Sequence, residues 1–273
     1  MASAPLSTCC LRASLWEGTP TGIETTLPNL PNNPTYVAKP PASSSAPSSP
    51  SSRVAILMVH DLLGWTFPNA RDADATVYLP DFFGGEVVSF EAALAGRFDE
   101  LDLPGILARQ ARAIREPEIV AFARALRASG RYDKVGAVGF CYGGWAVFRL
   151  GAREFVVDDD DDDAGAAAGG RGPLVDCISA GHPSLLTEQD VDEVAVPVQL
   201  VAPEVDPVFT PEMKLFAFQT LQKNGVAFDY QHLPGVEHAC LIRGDVNKKG
   251  EREAMVRGKS AAVAWFRQWL HDE

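Results

Sequence analysis

Six short apolar runs, separated by helix-like and loop-like segments, constrain the fold more than any other feature of this sequence. The runs are VAILMV (54–59), TVYL (76–79), VGAV (135–138), DCISA (176–180), PVQLVA (197–202) and FDYQHL (228–233). Their apolar residues are continuous rather than alternating, which is typical of strands that are buried on both faces. Because such strands need helices on both sides, the runs predict an α/β fold with a mostly parallel sheet covered by helices on both faces.

Three segments carry the signals of helices. One face of a helix that Gly130 is expected to end holds Ile119, Phe122, Ala123 and Leu126 at helical spacing. Thr210 and Pro211 predict a helix start, and Gly225 lies beyond the end of that helix. The C-terminal segment is predicted to place five residues on one helical face: Met255, Ala262, Trp265, Phe266 and Trp269.

Two low-complexity stretches are expected to form exposed loops. Residues 38–52, AKPPASSSAPSSPSS, are rich in Ser and Pro and bury too little surface to offset the entropy of ordering. Because TYVAKP resembles a short strand and RVAILMV follows the stretch, we predict a hairpin insertion. Residues 156–172, VVDDDDDDAGAAAGGRG, are expected to be a solvated loop rather than a metal site, because adjacent aspartates repel each other. The prediction is one domain over residues 1–273 with these two insertions.

Charge and cysteine usage limit the kinds of partner. The chain has 24 Lys plus Arg and 36 Asp plus Glu, a net charge of −12, and lacks a basic stripe, so nucleic acid is not an expected partner. The five cysteines have no disulfide-framework or zinc-like spacing, which indicates a reducing compartment. We find no signal-peptide pattern and no apolar run near ~18 residues. These features predict a cytoplasmic protein with no membrane span, a monomer or homodimer that acts on a small molecule.

Residues 135–144, VGAVGFCYGG, predict the catalytic centre. A buried strand runs into a Gly-x-Cys-x-Gly-Gly turn and then into the helix-like WAVFRLG. This is the pattern of a nucleophile elbow with Cys141 in place of serine, in which glycines permit a strained turn and close backbone approach. Free N–H groups at the helix start favour a thiolate, and the N–H of Tyr142 can donate to an oxyanion. The alternative is that Cys141 is a small buried residue in a glycine-rich turn.

A cysteine nucleophile needs a base, and the base needs an acid to orient it. His238 lies in PGVEHACLIRGD, after the FDYQHL run, and Asp206 lies in APEVDP, directly after PVQLVA. The chain order of nucleophile, acid and histidine is that of α/β-hydrolases. The alternatives are that Asp206 is a turn or helix-cap residue and that His238 is a loop or core histidine. His60 and His182 are expected to be structural.

The sequence resembles the dienelactone hydrolases, of the carboxymethylenebutenolidase type, in the branch common in fungi. The matching stretches are GTPTG, HDLLGWTFPNARDADA, VYLPDFFGG, VGFCYGG, PEVDP and PGVEHACLIRGD, which span nearly the whole chain outside the two insertions. The resemblance implies the α/β-hydrolase fold and a catalytic triad of Cys141, Asp206 and His238. No cofactor or metal is expected.

The resemblance also implies roles for residues around the triad. Asp61 stands where the family has an acidic residue that contacts the resting nucleophile. The backbone N–H of Leu62 would then complete an oxyanion hole with that of Tyr142. Arg243 is similar in position to an arginine that binds a substrate carboxylate; a surface arginine is the alternative.

The expected reaction is acyl transfer to the Cys141 thiolate, followed by hydrolysis with water activated by His238. The substrate would be an activated ester or lactone, whose enolate is a good leaving group. One alternative is a general carboxylesterase or thioesterase with another substrate, because the fold does not specify the acyl group. The other is a catalytically silent hydrolase-fold protein that serves in binding or redox sensing.

The sequence departs from the family pattern at two places. The segment between FPN and VYLPDFF is shorter than in the family, which usually has a full helix there. Ala239 and Cys240 follow the histidine, where the family tends to have a glycine and an aromatic residue. Neither departure removes a member of the expected triad.

Overall fold

The computed structural model describes residues 22–27, 33–40, 53–64, 75–86, 88–156 and 173–271. Most of the Ser/Pro stretch, the acidic stretch after residue 156 and the shortened segment at 65–74 lie outside the described residues. The loops predicted for the two low-complexity stretches and the shortened segment predicted at 65–74 therefore stay predictions.

Eight strands form one sheet in the described part of the chain. They are β1 (Ile23–Thr25), β2 (Thr35–Ala38), β3 (Val54–Val59), β4 (Thr76–Pro80), β5 (Lys134–Phe140), β6 (Cys177–Gly181), β7 (Val198–Val205) and β8 (Phe228–Glu237). The strand order is β1-β2-β4-β3-β5-β6-β7-β8, and all neighbours from β4 to β8 are parallel. The mostly parallel sheet and all six predicted strands are thus confirmed, with β7 and β8 extending further than their apolar runs.

The hairpin predicted between the TYVAKP run and β3 is wrong. β2 pairs antiparallel with β4 instead, with Thr35 opposite Pro80 and Ala38 opposite Val77. Both edges of β3 are occupied by parallel neighbours, β4 on one side and β5 on the other. β2 precedes β3 in sequence but cannot pair with it, and it pairs with the free edge of β4 instead.

Eight α-helices lie within the described ranges. They are α1 (Phe90–Leu94), α2 (Leu103–Arg109), α3 (Arg112–Ala128), α4 (Gly143–Leu150), α5 (Glu188–Glu193), α6 (Pro211–Lys223), α7 (Cys240–Arg243) and α8 (Lys249–Leu270). The predicted boundary signals are confirmed: Gly130 and Gly225 follow α3 and α6 with φ of +63° and +68°, and the Thr210 hydroxyl accepts from the Met213 N–H at 3.3 Å. None of the helices in these ranges has the length and apolar character to cross a membrane.

Helices cover both faces of the sheet, as predicted. Alternate residues of β3 belong to different core clusters: Ala55, Leu57 and Val59 pack with α3, α4 and α6, whereas Val54 and Ile56 pack with α8. α8 contacts β5 closely because Gly136 has no side chain; a Cβ there would lie 2.7 Å from Phe266 Cε1. The carboxyl ends of β3, β5, β6, β7 and β8 meet at one edge of this two-sided core, and the candidate site lies there.

Candidate active site

Cys141 lies in the turn between β5 and α4 and has the geometry of a nucleophile elbow. Its φ is +49°, and its side chain is buried. The neighbouring glycines are required by close backbone contacts: a Cβ on Gly139 would lie 2.2 Å from the Gly143 oxygen, and one on Gly143 would lie 2.2 Å from the Val59 oxygen. Left-handed backbone at a cysteine is strained, so the surrounding structure must hold it in place.

The backbone of Cys141 is held by the loop that follows β6. Its N–H donates to the Gly181 oxygen and to His182 Nδ1, both at 3.1 Å, and its carbonyl accepts from the Ser184 N–H at 2.8 Å. Because His182 Nδ1 accepts, this ring is neutral; burial lowers the pKa of His182 well below its usual value, and the charges of His238 and Arg243 lower it further. His182 thus has a structural role, as expected.

His60 also has the structural role expected from the sequence. Its Nε2 accepts from the Phe82 N–H at 3.1 Å, so its Nδ1 carries the proton and donates to the Asp61 carbonyl at 2.8 Å. Burial lowers the pKa of His60, which keeps the ring neutral.

Asp206 and His238 directly follow β7 and β8, and their side chains meet. His238 Nδ1 donates to Asp206 Oδ2 at 2.8 Å, and both side chains are fully buried. The other carboxylate oxygen of Asp206 accepts from the N–H groups of Val208 and Phe209, at 3.0 and 2.9 Å. These bonds hold the carboxylate in one orientation, and the carboxylate in turn sets the tautomer and direction of the imidazole.

The side chains of Cys141 and His238 interact with each other. Burial alone lowers the pKa of His238, but the charge of Cys141 and hydrogen bonds with Asp206 and Cys141 outweigh burial and raise this pKa to about 10. An imidazolium at neutral pH, held against the sulfur, favours the thiolate form of Cys141. The structure thus brings together the three residues that the sequence selected.

A second buried pair lies beside the first. Arg243 Nε is 2.8 Å from Asp61 Oδ2, and only 1% of the Arg243 side chain is exposed, so the alternative of a surface arginine is wrong. Asp61 Oδ1 accepts from the Leu63 N–H at 2.8 Å. Burial raises the pKa of Asp61 to about 6 against the attraction of Arg243, and the charge of Cys141 raises it as well. The role that the resemblance implies for Asp61, contact with the resting nucleophile, stays a prediction.

Two buried N–H groups flank the turn. Leu62 follows Asp61 and is buried, and Tyr142 is the N-cap residue of α4. Within the described ranges, neither backbone N–H donates a hydrogen bond to another backbone group. The Tyr142 phenol is occupied separately: it donates to the Gln110 carbonyl at 2.5 Å.

Ser184 is a site residue that the sequence reasoning missed. Its Oγ lies 3.3 Å from Cys141 Sγ and 3.5 Å from His238 Nε2, and the residue is fully buried. The signal that could have found it is its position in DCISAGHPS, just past the end of β6, because β6 is the strand next to β5. A triad contains a nucleophile, a base and an acid, and a hydroxyl is not one of its expected members.

A cavity of about 280 Å³ lies between the sheet and α8. Asp61 is part of its wall, which among the described residues is otherwise largely apolar, with Ile56, Val138, Phe140 and Leu241. Cys141, Asp206 and His238 are not part of this wall. The described ranges contain no group of three or more His, Cys, Asp or Glu side chains that could hold a metal ion.

Comparison with known proteins gives a consistent set of relatives. The model of the dienelactone hydrolase family matches residues 41–270. The chain is 28% identical to hydrolase pyvD of Aspergillus violaceofuscus, with 99% of both chains covered. It is 26% identical to hydrolase tropI of Talaromyces stipitatus over the whole of both chains. A dienelactone hydrolase-like promiscuous phosphotriesterase from metagenomic libraries has the same fold, with a TM-score of 0.57 at 18% identity over 87% of this chain and 92% of that one.

Proposed function

Because the chain belongs to the dienelactone hydrolase family and has the α/β-hydrolase fold, we propose that this hydrolase cleaves an activated ester or lactone through an acyl-enzyme formed on Cys141. The observation that carries the proposal is that buried His238 is hydrogen-bonded to Asp206 and interacts with Cys141. These interactions raise the pKa of His238 to about 10. A thiolate beside an oriented imidazolium is the arrangement that cysteine nucleophiles require.

In the first half of the reaction, Cys141 Sγ attacks the carbonyl carbon of the substrate. A C–S bond forms, the C–O bond to the leaving group breaks, and His238 Nε2 gives its proton to the leaving oxygen. An enolate is a good leaving group, so a thiolate suffices as nucleophile. The N–H groups of Leu62 and Tyr142 are proposed to receive the developing oxyanion, and the start of α4 adds favourable dipole.

In the second half, neutral His238 takes a proton from water, and the hydroxide attacks the thioester. The C–S bond breaks, the acid is released, and the thiolate and imidazolium return together. Asp206 accepts from His238 Nδ1 throughout and stabilises the charged form of the ring.

Hydrolysis of a dienelactone and of p-nitrophenyl acetate by wild type and Cys141→Ala tests the proposal. The variant is expected to lose more than about a thousandfold in kcat, because the nucleophile is absent. Cys177→Ala is the matched control: Cys177 lies buried on β6, and burial raises the pKa of its thiol well above the usual value. If Cys141→Ala retained turnover, the acyl-enzyme would be excluded; if folded wild type hydrolysed neither ester, the silent binding protein would be favoured.

A second candidate is an esterase of neutral esters, because the fold does not specify the acyl group. The two candidates differ in the part played by Arg243, which in the dienelactone reaction binds the substrate carboxylate. Arg243→Lys keeps the charge beside Asp61 but loses two-pronged carboxylate binding. If the substrate is anionic, kcat/KM for the dienelactone should fall about tenfold, while that for p-nitrophenyl acetate stays the same. Equal values of kcat/KM for the dienelactone in both proteins would favour the neutral ester.

A further inference from the structure

The Ser184 hydroxyl lies beside both Cys141 Sγ and His238 Nε2. It is 3.3 Å from the nucleophilic sulfur and 3.5 Å from the imidazole nitrogen that faces it. Ser184 is fully buried. A triad of nucleophile, base and acid leaves this hydroxyl without a role.

The loop that carries Ser184 is bound firmly to the elbow. The Ser184 N–H donates to the Cys141 carbonyl at 2.8 Å. Pro183 packs closely on Gly144: a Cβ on Gly144 would lie 2.4 Å from the Cβ of Pro183. On the far side, the Leu185 carbonyl accepts from Arg112 Nη1 at 2.9 Å. The position of the hydroxyl is therefore set by the same contacts that position the sulfur.

The backbone on both sides of Ser184 is strained. His182 has φ of +37° and Leu185 has φ of +57°, a conformation that residues with side chains rarely adopt. Such strain persists only where surrounding contacts impose it, and it is concentrated at functional sites. A loop that only connected β6 to α5 would not need it.

We propose that Ser184 is a fourth catalytic group, whose hydroxyl donates a hydrogen bond to the Cys141 thiolate and is a second acceptor, beside the sulfur, for the Nε2–H of the His238 imidazolium. A hydroxyl has one proton and two acceptor lone pairs, so one side chain can serve both partners. Hydrogen bonds to charged partners are roughly twice as strong as neutral ones. Ser184 therefore favours the thiolate and imidazolium over the neutral thiol and imidazole. This inference rests on the proposed function in taking Cys141 as the nucleophile.

Removal of the hydroxyl leaves every other charged group around the sulfur in place. Asp61 at the end of β3, Arg243 on α7, and Asp206 and His238 after β7 and β8 are all unchanged by Ser184→Ala, as is the neutral His182 on the same loop. A change in the pH dependence of Cys141 reactivity would then report the hydroxyl itself.

Alkylation of Cys141 by iodoacetamide across pH 4 to 10 is the test, with the Cys141 peptide quantified by mass spectrometry. Ser184→Ala is expected to move the midpoint upward by about one pH unit and to slow alkylation below the midpoint about tenfold. Ser184→Thr keeps a hydroxyl and should return the midpoint toward that of wild type. Ser179→Ala is the matched control, because Ser179 is a buried serine of β6 whose hydroxyl donates to Gln199 Oε1 at 2.8 Å.

An unchanged midpoint in Ser184→Ala, with slower alkylation at every pH, would overturn the proposal and leave Ser184 a purely structural residue. The same holds if the wild-type Cys141 alkylates no faster than Cys177, since there would be no thiolate to receive the bond. Alkylation requires no ester. A shifted midpoint in a protein that hydrolyses neither test ester would thus support the role of Ser184 and contradict the hydrolase proposal.

Discussion

Individual residues of this site have pKa values that differ from those of exposed residues, because burial and neighbouring charges change the free energy of their charged forms. Asp61 has its pKa raised to about 6 by burial, although Arg243 opposes the shift from 2.8 Å. His238 has its pKa raised to about 10 despite burial, because Cys141 and Asp206 both favour its charged form. Asp61 thus titrates nearer to physiological pH than an exposed aspartate does, and the His238 imidazole is held charged.

The raised pKa of Asp61 makes the stability of the fold depend on pH. The folded value of about 6 exceeds the ordinary 3.8, so the folded state binds this proton more tightly than the unfolded state. The stabilisation is complete below about pH 4 and is lost as pH rises through about 6. Asp61→Asn does not titrate, and its unfolding free energy relative to wild type should therefore increase by roughly 3 kcal/mol between pH 4 and 7. Urea unfolding across this range checks it; parallel pH profiles would contradict it.

Ala239 has a left-handed backbone conformation, which residues with a side chain rarely adopt. It follows His238 with φ of +71°, where the resembling family tends to have glycine. Ala239→Gly should remove about 1–2 kcal/mol of strain and lose about 0.4–1 kcal/mol to the greater entropy of the unfolded chain. The net expectation is stabilisation of up to about 1 kcal/mol, measured by urea unfolding. Ala121→Gly, on the exposed face of α3, should destabilise by about 1 kcal/mol, and a destabilising Ala239→Gly would contradict the strain.

At the scale of elements, the elbow depends on the distance between α4 and the sheet. Gly143 begins α4 and lies against the end of β3, where the Val59 and His60 carbonyls leave no room for a side chain. The helix can then start directly after the elbow, with Tyr142 as its N-cap residue. Closer packing of this kind is available only to glycine.

Gly143→Ala is expected to destabilise the protein by more than about 3 kcal/mol, because its Cβ would lie 2.2 Å from a backbone oxygen that cannot move aside. Gly250→Ala is the matched control. Gly250 lies in the first turn of α8, and a Cβ there would meet no atom within 4 Å, so alanine should stabilise α8 by up to about 1 kcal/mol. Thermal unfolding compares the two; equal effects would show that contact with β3 is not the reason for glycine.

At the scale of the whole molecule, one arginine joins three separate parts of the chain. Arg112, at the start of α3, makes a two-pronged ion pair with Asp190 of α5 at 2.7 and 2.8 Å and donates to the Leu185 carbonyl in the Ser184 loop. Its guanidinium also lies 4.8 Å from the Trp145 ring of α4. The helices that cover one face of the sheet are thereby connected to the loop that carries Ser184.

Arg112→Met is expected to destabilise the fold by about 3 kcal/mol, because Asp190 is only 2% exposed and would lose its charged partner. Arg97→Met serves as the control: Arg97 pairs with Glu91 and Glu100 in solvent, and its loss should leave stability nearly unchanged. Urea unfolding of both variants measures the difference. Similar values for both would mean that the Arg112 network adds nothing to the fold.

Much of the fold could be predicted from the sequence, because the signals concerned are local. Apolar runs predicted the strands β3 to β8, Thr210 and Gly225 marked the ends of α6, and the glycines around Cys141 marked the elbow. The positions of Asp206 and His238 followed from the same logic, since residues just past parallel strands meet at one edge of the sheet. The shared family pattern supplied Asp61 and Arg243.

Only the tertiary structure decided which distant residues meet. β2 pairs with β4 because β3 has no free edge, and that depends on the order of the whole sheet. Arg243 is buried against Asp61, and Ser184 lies beside Cys141, because α7 and the loop after β6 pack onto the same edge from different directions. Periodicity and turn chemistry act over a few residues, whereas the contacts of Ser184 and Arg243 join residues 43 or more positions apart and exist only once the core has formed.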